Sequence, residues 1–272
     1  MASLTERGLE MLERTSRTFF IPISRLPPGL LEAVGSAYLC LRAIDEIEDH
    51  PNLDSATKEK LLRNISRTMQ SSAERIQDDG LLVTKDEYRD VLPEVTVQIA
   101  DWVSLAPNSI APRIWDATAS MADRMADWAG DGWRISTQAD LDRYTFGVAG
   151  AVGLILSDLW SWYDGTITDR VLAIGFGRGL QAVNIIRNRS EDLKRGVDFY
   201  PDGWDSQAMQ IYARQNLAKA SAYVEALPQG PALEFCKIPL MLAHATLDAL
   251  AQGKIKLERS EVVRMLEESS GD

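Results

Sequence analysis

Apolar residues recur every three or four positions through most of the chain, and this spacing predicts amphipathic helices. Prolines, glycines and capping residues separate the apolar stretches, as they do between helices. Two-residue alternation is confined to 95–99 (VTVQI), which lies inside a helical pattern. We therefore predict an all-α protein, with about ten helices forming one domain over 1–272. The predicted helices span 27–51, 54–76, 86–105, 111–129, 136–163, 168–196, 205–227 and 231–253, with a short one after Arg259.

Two of these stretches, 33–44 and 146–156, are apolar on most helix faces. A helix that is hydrophobic all round is buried in a large protein, so we expect both to be central. The segment GFGRG (175–179) lacks the preceding strand and the spacing of a dinucleotide-binding loop. Together with Gly147, Gly150 and Gly153, it is expected instead to allow close helix packing or room for a substrate.

The charge balance and the apolar runs exclude several classes of protein. A net charge of −11 gives no basic field for nucleic acid. Cys40 and Cys236 lie in apolar helical settings, which favours small core residues over a disulfide. The longest apolar run, Phe146–Leu156, has eleven residues, whereas a spanning helix needs about 20. The charged, amphipathic N-terminus is unlike a secretory signal. We expect a cytoplasmic protein without a membrane-spanning segment.

One face of the helix predicted at 27–51 carries unusual polar residues. Tyr38, Arg42, Asp45 and Asp49 are spaced by four, three and four positions, so they share that face. Two unpaired carboxylates on a largely buried helix would be costly. A divalent cation removes this cost, and Mg²⁺ is commonly held by carboxylates together with phosphate oxygens. The alternative is a solvated helix end before Pro51.

The helix predicted at 168–196 carries a second polar stripe. Gln181, Asn184, Asn188 and Asp192 are spaced by three, four and four positions. Cationic residues flank the stripe, and cations beside a carboxylate–metal site suit a diphosphate. Two such helices facing each other would hold a metal–diphosphate group. Taken alone, the stripe is better explained as the solvent-exposed face of an amphipathic helix.

These segments, with three others in the same order, resemble the squalene/phytoene synthase family, and within it the eukaryotic-type squalene synthases. The matching segments are TSRTF (15–19), YLCLRAIDEIED (38–49), YTFGVAGAVG (144–153), QAVNIIRNRSED (181–192) and FCKIPLMLAHATL (235–247). The resemblance implies a single all-α isoprenoid-synthase domain with a central cavity, and Mg²⁺-assisted loss of diphosphate from an allylic prenyl diphosphate. A carbon–carbon bond then forms.

The resemblance also implies roles for individual residues. Asp45, Glu48 and Asp49 match the first acidic motif, which holds Mg²⁺, and Asp192, with Glu191 beside it, matches the end of the second. Gln181 and Asn184 match polar residues that face the diphosphate, and Asn188 matches a further metal-binding position. Arg17 and Arg42 match phosphate-binding arginines, and Tyr144 matches a tyrosine near the reacting carbons. The positions that match the walls of the cavity are Phe19, Tyr38, Phe235 and Pro239.

Two departures from the family pattern shape the functional prediction. Asn188 stands where the second motif normally begins with aspartate, and a neutral amide brings no charge to a metal site. After Leu247, the basic strip arrives early and the asparagines of reductive squalene synthases are missing. We therefore expect no use of NADPH. We also predict that the acceptor is an electron-rich aromatic ring, such as a phenol, indole or carbazole, which needs only one diphosphate site.

Two alternatives remain open at this point. One is head-to-head condensation of two prenyl diphosphates to a presqualene diphosphate, squalene or phytoene-type product. The other is a non-catalytic homologue that binds prenyl diphosphate, against which the intact first acidic motif argues. Oligomeric state and donor chain length do not follow from the sequence.

Overall fold

The computed structural model describes residues 3–71, 86–254, 257, 261–262 and 264–265, without the side chains of residues 17, 86 and 87. Throughout these ranges the regular elements are helices, which confirms the predicted all-α class. The α-helices are α1 (Leu4–Thr15), α2 (Arg17–Ser24), α3 (Leu30–Glu48), α4 (Ser55–Met69), α5 (Asp86–Arg89), α6 (Glu94–Val97), α7 (Ile99–Leu105), α8 (Ala111–Gly130), α9 (Gln138–Thr145), α10 (Ala151–Asp164), α11 (Arg170–Lys194), α12 (Ser206–Glu225) and α13 (Pro231–Ala251). A π-helical turn, Phe146–Gly150, joins α9 to α10.

Side-chain caps fix where several helices begin. The Asp54 carboxylate accepts the backbone N–H of Thr57 at 2.7 Å and starts α4. At α9, Thr137 Oγ1 accepts the N–H of Asp140 at 3.2 Å, and the Asp140 carboxylate accepts the N–H of Thr137 at 2.8 Å. Such caps satisfy backbone donors that have no partner within the helix. The same type of cap is supplied to α11 and α12 by Asp169 and Asp205.

The described chain divides into two compact units. The first comprises Met1–Trp133 with Asp158–Gly165, and the second comprises Arg134–Ser157 with Thr166–Asp272. Within the first unit, α3 packs against α1, α2, α4, α6, α7 and α8, so it is the central helix there. Its buried positions include Ala33, Leu39, Cys40 and Ile44. This confirms the expectation that residues 33–44 are central and that Cys40 is a core residue.

In the second unit, α11 packs against the π-helical turn, α9, α12 and α13. The glycines of α11 make this contact possible. A Cβ on Gly177 would lie 2.0 Å from the carbonyl oxygen of Ala149, and one on Gly175 would lie 2.5 Å from Lys219 Cβ. Gly153 approaches Ala173 O equally closely, with a 1.9 Å separation for a hypothetical Cβ. The expectation that GFGRG permits close helix packing is confirmed.

Two predicted helices differ in detail from the observed ones. The stretch 86–105 forms three short helices, because Pro93 lacks an N–H and its ring clashes with a preceding helical turn. The alternating segment 95–99 is part of these helices. The stretch 136–163 contains the π-helical turn, and its residues 146–156 are buried and half-buried in turn rather than buried on most faces. The segment 72–85 and most of the chain after 254 lie outside the described residues.

The stretch Gln138–Asp164 is long and apolar enough to cross a membrane by length and composition alone. Half of its most apolar window is buried inside the protein. A core helix of a globular protein can have the same length and apolar composition as a membrane-spanning helix. The single-domain organisation, the lack of a membrane-spanning segment and the cytoplasmic location stay predictions.

Candidate functional site

The first acidic motif occupies the last turn of α3. Glu48 and Asp49 lie three and four positions after Asp45, so each is a neighbour of Asp45 on the helix surface. Asp49 is the C-terminal cap residue, and Pro51 follows, which prevents the helix from continuing. Glu48 is only 5% exposed, Asp45 is half-buried and Asp49 is exposed. The three carboxylates therefore extend from the protein interior to its surface.

Burial and neighbouring negative charge raise the pKa of both Asp45 and Glu48. Burial, followed by the charge of Asp49, raises the pKa of the Asp45 carboxyl to about 7. Burial, followed by the charges of Asp45 and Asp49, raises the pKa of Glu48 to about 8. Negative charge on this turn is therefore in excess of what its surroundings stabilise. A divalent cation would relieve the excess.

Arg42 offsets part of that charge from within the same helix. Its guanidinium group donates to the carboxylates of Asp45 and Glu46. Its Nε is buried and has no hydrogen-bond acceptor in the described part of the chain. The arginine that the resemblance assigns to phosphate binding is thus engaged by two carboxylates, one of which, Glu46, the sequence analysis did not single out.

An aromatic pair involves Tyr38, which lies about two turns before Asp45 on α3. The rings of Phe19 and Tyr38 are tilted with centroids 5.4 Å apart, which joins α2 to α3. The phenol of Tyr38 shares a hydrogen bond with Ser16, and burial raises its pKa. Arg17 lies at the start of α2, but its side chain is outside the described residues, so its phosphate-binding role stays a prediction.

The second polar stripe runs along α11 in the other unit. Gln181 and Asn184 are half-buried, Asn188 is exposed and Asp192 is buried. Arg195 donates to the Asp192 carboxylate at 2.6 Å. The side-chain oxygen of Asn188 accepts a hydrogen bond from Nε of Arg187 at 3.1 Å. Asparagine thus keeps an oxygen atom at this position that could bind a metal ion. Glu191 pairs with Lys194 at 2.9 Å.

Tyr144 lies at the end of α9, a helix that packs on α11 in the same unit. Its ring stacks on that of Phe199, with centroids 4.5 Å apart, and both side chains are nearly fully buried. Phe199 belongs to the segment after α11, which Arg189 fixes by binding Asp198 at 2.8 Å and lying 3.7 Å over the Tyr200 ring. Tyr144 is therefore held by a partner that the sequence analysis did not identify.

Phe235 and Pro239 are both buried and lie one turn apart on α13, so they share a helix face. Helix α13 packs on α11 and α12 within the second unit. Pro239 lies inside the helix, where it removes one backbone hydrogen bond. Their predicted place on a cavity wall stays a prediction.

The carboxylates of α3 fit a magnesium ion in type and placement, because hard oxygen ligands lie within one helical turn. In 3–71, 86–254 and the few described positions beyond, no group of three or more His, Cys, Asp or Glu side chains is already arranged around an ion. The hydrogen bonds explain this. Arg42 engages Asp45, and the indole Nε1 of Trp133 donates to Glu48 Oε1 at 2.7 Å.

Trp133, like Glu46 and Phe199, is a residue that the sequence analysis missed. It is 85 positions from Glu48 along the chain, in a turn after α8. A lone tryptophan after a glycine carries no sequence signal of such a contact. Spacing along one helix can identify ligands, but it cannot identify their partners on other elements.

Comparison of the sequence with known proteins finds one family model and several relatives that all point to the same family. Residues 12–204 match the family model described as squalene/phytoene synthase. The squalene synthase of Schizosaccharomyces pombe is 28% identical over 96% of this chain and 64% of that protein. The squalene synthase of Eremothecium gossypii is 31% identical over 95% of this chain and 65% of that protein. The chain thus spans about 65% of the length of the relatives it matches.

Solved structures share the fold. A structure described as TcSQS with a ligand superposes with a TM-score of 0.80 at 24% identity, covering 98% of this chain and 86% of that one. A dehydrosqualene synthase gives a TM-score of 0.67 at 16% identity, covering 98% and 95%. At these identities the likeness establishes the fold alone.

The predicted aromatic acceptor is wrong. The relatives are squalene synthases, a name that denotes head-to-head condensation of prenyl diphosphates, and this supports the alternative reading. The error lay in treating the loss of one carboxylate at Asn188 as the loss of a diphosphate site. An amide oxygen is still a hard ligand, so the change to asparagine removes charge but keeps an oxygen donor.

The residues that first suggested a family are therefore supported by two independent kinds of likeness. The family model covers well over half of the chain, and a relative at 31% identity matches 95% of it. The all-helical fold agrees with both. This chain belongs to the squalene/phytoene synthase family.

Proposed function

We propose that this protein is a Mg²⁺-dependent synthase that condenses two allylic prenyl diphosphates head to head. The product would be of the presqualene diphosphate or phytoene type, and diphosphate would be released. The observation that carries the proposal is the acidic turn of α3, in a chain of this family, where burial and neighbouring negative charge raise the pKa of Asp45 and of Glu48. Such a turn suits a cation and is costly without one.

The proposal gives each polar group a task. Asp45, Glu48 and Asp49 would hold Mg²⁺, and Asp192, Asn184 and Asn188 of α11 would offer oxygen ligands of the same hard type. Bound Mg²⁺ would neutralise charge on the leaving diphosphate and so assist ionisation of the allylic carbon–oxygen bond. Arg17 and Arg42 would bind phosphate oxygens, and Gln181 would donate to them. Arg42 would then share its guanidinium group between Asp45 and the substrate.

The apolar residues would protect the allylic cation. Aromatic ring faces stabilise positive charge, and exclusion of water prevents its capture. Phe19 with Tyr38 and Tyr144 with Phe199 form two aromatic pairs. Phe235 and Pro239 would contribute apolar wall. Tyr144 would contact the reacting carbons, and Phe199 would hold its ring.

A product assay tests this function. Geranyl, farnesyl and geranylgeranyl diphosphate are each incubated alone with the protein and Mg²⁺, and products are identified by mass spectrometry. At least one should yield a dimeric prenyl product together with inorganic diphosphate, at a rate typical of enzymes, on the order of 1 s⁻¹ or more.

Two results would contradict the proposal. Absence of any dimeric product from all three substrates would exclude head-to-head condensation. Absence of diphosphate release under every condition, together with measurable substrate binding, would favour the non-catalytic binding homologue. Omission of Mg²⁺, with EDTA present, is the control in which no product should form.

A further inference from the structure

Glu48 lies in a cluster whose other members come from distant parts of the first unit. We call Glu48, Lys58 and Trp133 the Glu48 cluster. The indole Nε1 of Trp133 donates to Glu48 Oε1 at 2.7 Å. Lys58 Nζ donates to the main-chain oxygen of Glu48 at 2.6 Å and lies 5.0 Å from the centroid of the Trp133 ring. Trp133 thus binds the side chain of Glu48, Lys58 binds its main chain at the end of α3, and the two residues contact each other.

The backbone at Trp133 is unusual. Its φ is 51°. Among the residues that the structure describes, Trp133 is the only non-glycine residue with a positive φ. Left-handed backbone costs a residue with a side chain roughly 1–2 kcal/mol. The preceding Gly132, at φ 67°, meets no such cost. A strained residue persists where its surroundings determine its position, and such residues are frequent at functional sites.

Glu48 and Lys58 are buried, so their contacts within the cluster replace contacts with water. Glu48 is 5% and Lys58 is 8% exposed, so neither charge is well solvated. The Lys58 ammonium lies at the C-terminal end of α3, where the helix dipole favours a cation. It also faces the aromatic ring that holds the Glu48 carboxylate. The cluster therefore fixes one oxygen of Glu48 with a neutral donor and balances nearby negative charge with a cation.

A purely space-filling role for Trp133 would not need its N–H group. A phenylalanine would fill most of the same volume and keep a ring face for Lys58. The hydrogen bond to a carboxylate of the acidic motif is the feature that packing alone does not explain. Hydrogen bonds to metal-binding carboxylates fix the orientation of the ligand, and their removal typically costs 10–100-fold in metal affinity.

We propose that Trp133, supported by Lys58, is a positioning residue for the first acidic motif: it holds Glu48 Oε1 so that the other carboxylate oxygen is presented to Mg²⁺. This inference rests on the proposed function in one respect, that the acidic turn of α3 binds the ion. Trp133 itself contacts neither substrate nor metal in this assignment. Glu48 is held by this hydrogen bond, whereas Asp45 is paired with Arg42.

The test compares Mg²⁺ binding, without turnover, in the full chain. Mg²⁺ is titrated in the presence of inorganic diphosphate, and the midpoint of thermal unfolding reports binding. The Trp133→Phe variant should need about 10–100 times more Mg²⁺ for a half-maximal shift. The matched control is Trp162→Phe, since the Trp162 indole also donates to a side chain of the same unit, Ser109 at 3.1 Å. This control should titrate as the unmodified protein does.

A double-mutant cycle with Glu48→Gln separates positioning from general destabilisation. If Trp133 acts through Glu48, Trp133→Phe should add little to the Mg²⁺ requirement of the Glu48→Gln variant. Equal, additive effects in both backgrounds would overturn the inference, as would an unchanged titration of Trp133→Phe. If the Trp133→Phe protein does not fold, Glu48→Gln alone decides, because an unchanged Mg²⁺ titration there also overturns it.

The outcomes distinguish this inference from the proposed function. A protein that binds Mg²⁺ with diphosphate but forms no dimeric product refutes head-to-head condensation and leaves the role of Trp133 in place. A catalytically active protein whose Trp133→Phe variant titrates normally refutes the inference alone. A wild-type protein with no Mg²⁺ response overturns both.

Discussion

Asp45 and Asp49 are the single residues on which the proposed chemistry most depends. They lie one helical turn apart, and the charge of Asp49 contributes to the raised pKa of Asp45. Asp45→Ala or Asp49→Ala should each lower kcat by at least about 10²-fold, the scale of losing a key electrostatic stabiliser. The measurement is diphosphate release with saturating substrate and Mg²⁺.

A surface carboxylate provides the control for these variants. Asp101 pairs with Arg7 at 2.8 Å, and both side chains are exposed. Such pairs contribute about 0–1 kcal/mol to stability, so Asp101→Ala should retain normal activity. Normal turnover by the Asp45→Ala/Asp49→Ala double variant would show that the ion is bound elsewhere.

The stack of Tyr144 on Phe199 gives a second prediction for single residues. Phe199→Leu removes a buried aromatic pair worth about 0.5–1.5 kcal/mol beyond its buried area. In urea unfolding, the free energy of unfolding of Phe199→Leu should be lower than that of the unmodified protein by this amount or slightly more. If Phe199 orients Tyr144, kcat should also fall while KM changes little, and Phe199→Tyr should restore it. A fully folded Phe199→Leu protein with unchanged kcat would contradict this role.

At the scale of elements, the contact of α11 with the π-helical turn depends on glycine. In Gly177→Ala, the new Cβ would lie 2.0 Å from the Ala149 carbonyl oxygen, which is backbone and cannot rotate away. Overpacking typically costs 1–3 kcal/mol, so we expect destabilisation of about 3 kcal/mol or more. Urea unfolding followed by circular dichroism measures it.

Gly35, in the middle of α3, is the matched control for this substitution. A Cβ there would meet Leu105 Cδ2 at 3.7 Å, an ordinary van der Waals distance. Because alanine is the better helix former by about 1 kcal/mol, Gly35→Ala should be neutral or stabilising. Similar losses in both variants would show that close approach at Gly177 is not what limits stability.

At the scale of the whole molecule, the segment after Leu247 bears on the reaction's end point. It departs from the pattern of reductive squalene synthases, so we expect condensation without reduction. With prenyl diphosphate, Mg²⁺ and NADPH, the absorbance of NADPH should stay constant while a condensed product accumulates. Loss of NADPH absorbance that requires substrate, with squalene as product, would show that the missing asparagines are dispensable.

The sequence by itself determined the helical fold, most helix starts and the residues of the acidic motif. These depend on interactions between residues three or four positions apart, such as the cap of Asp54 on Thr57 or the shared face of Asp45 and Asp49. The family, too, was accessible because its motifs are local segments. The acceptor was not, because the amide oxygen of Asn188 can still bind Mg²⁺, so the loss of one charge does not determine which acceptor is used.

Only the tertiary structure decided how the acidic turn is held. Trp133 lies 85 positions from Glu48, and Phe199 reaches Tyr144 through a segment that Arg189 fixes after α11. The π-helical turn likewise adjoins glycines of α11 that are distant in sequence. Helical periodicity records which face of a helix a residue occupies, whereas the partner on another element is set by how the whole chain packs. The supporting contacts of the site therefore came from the fold.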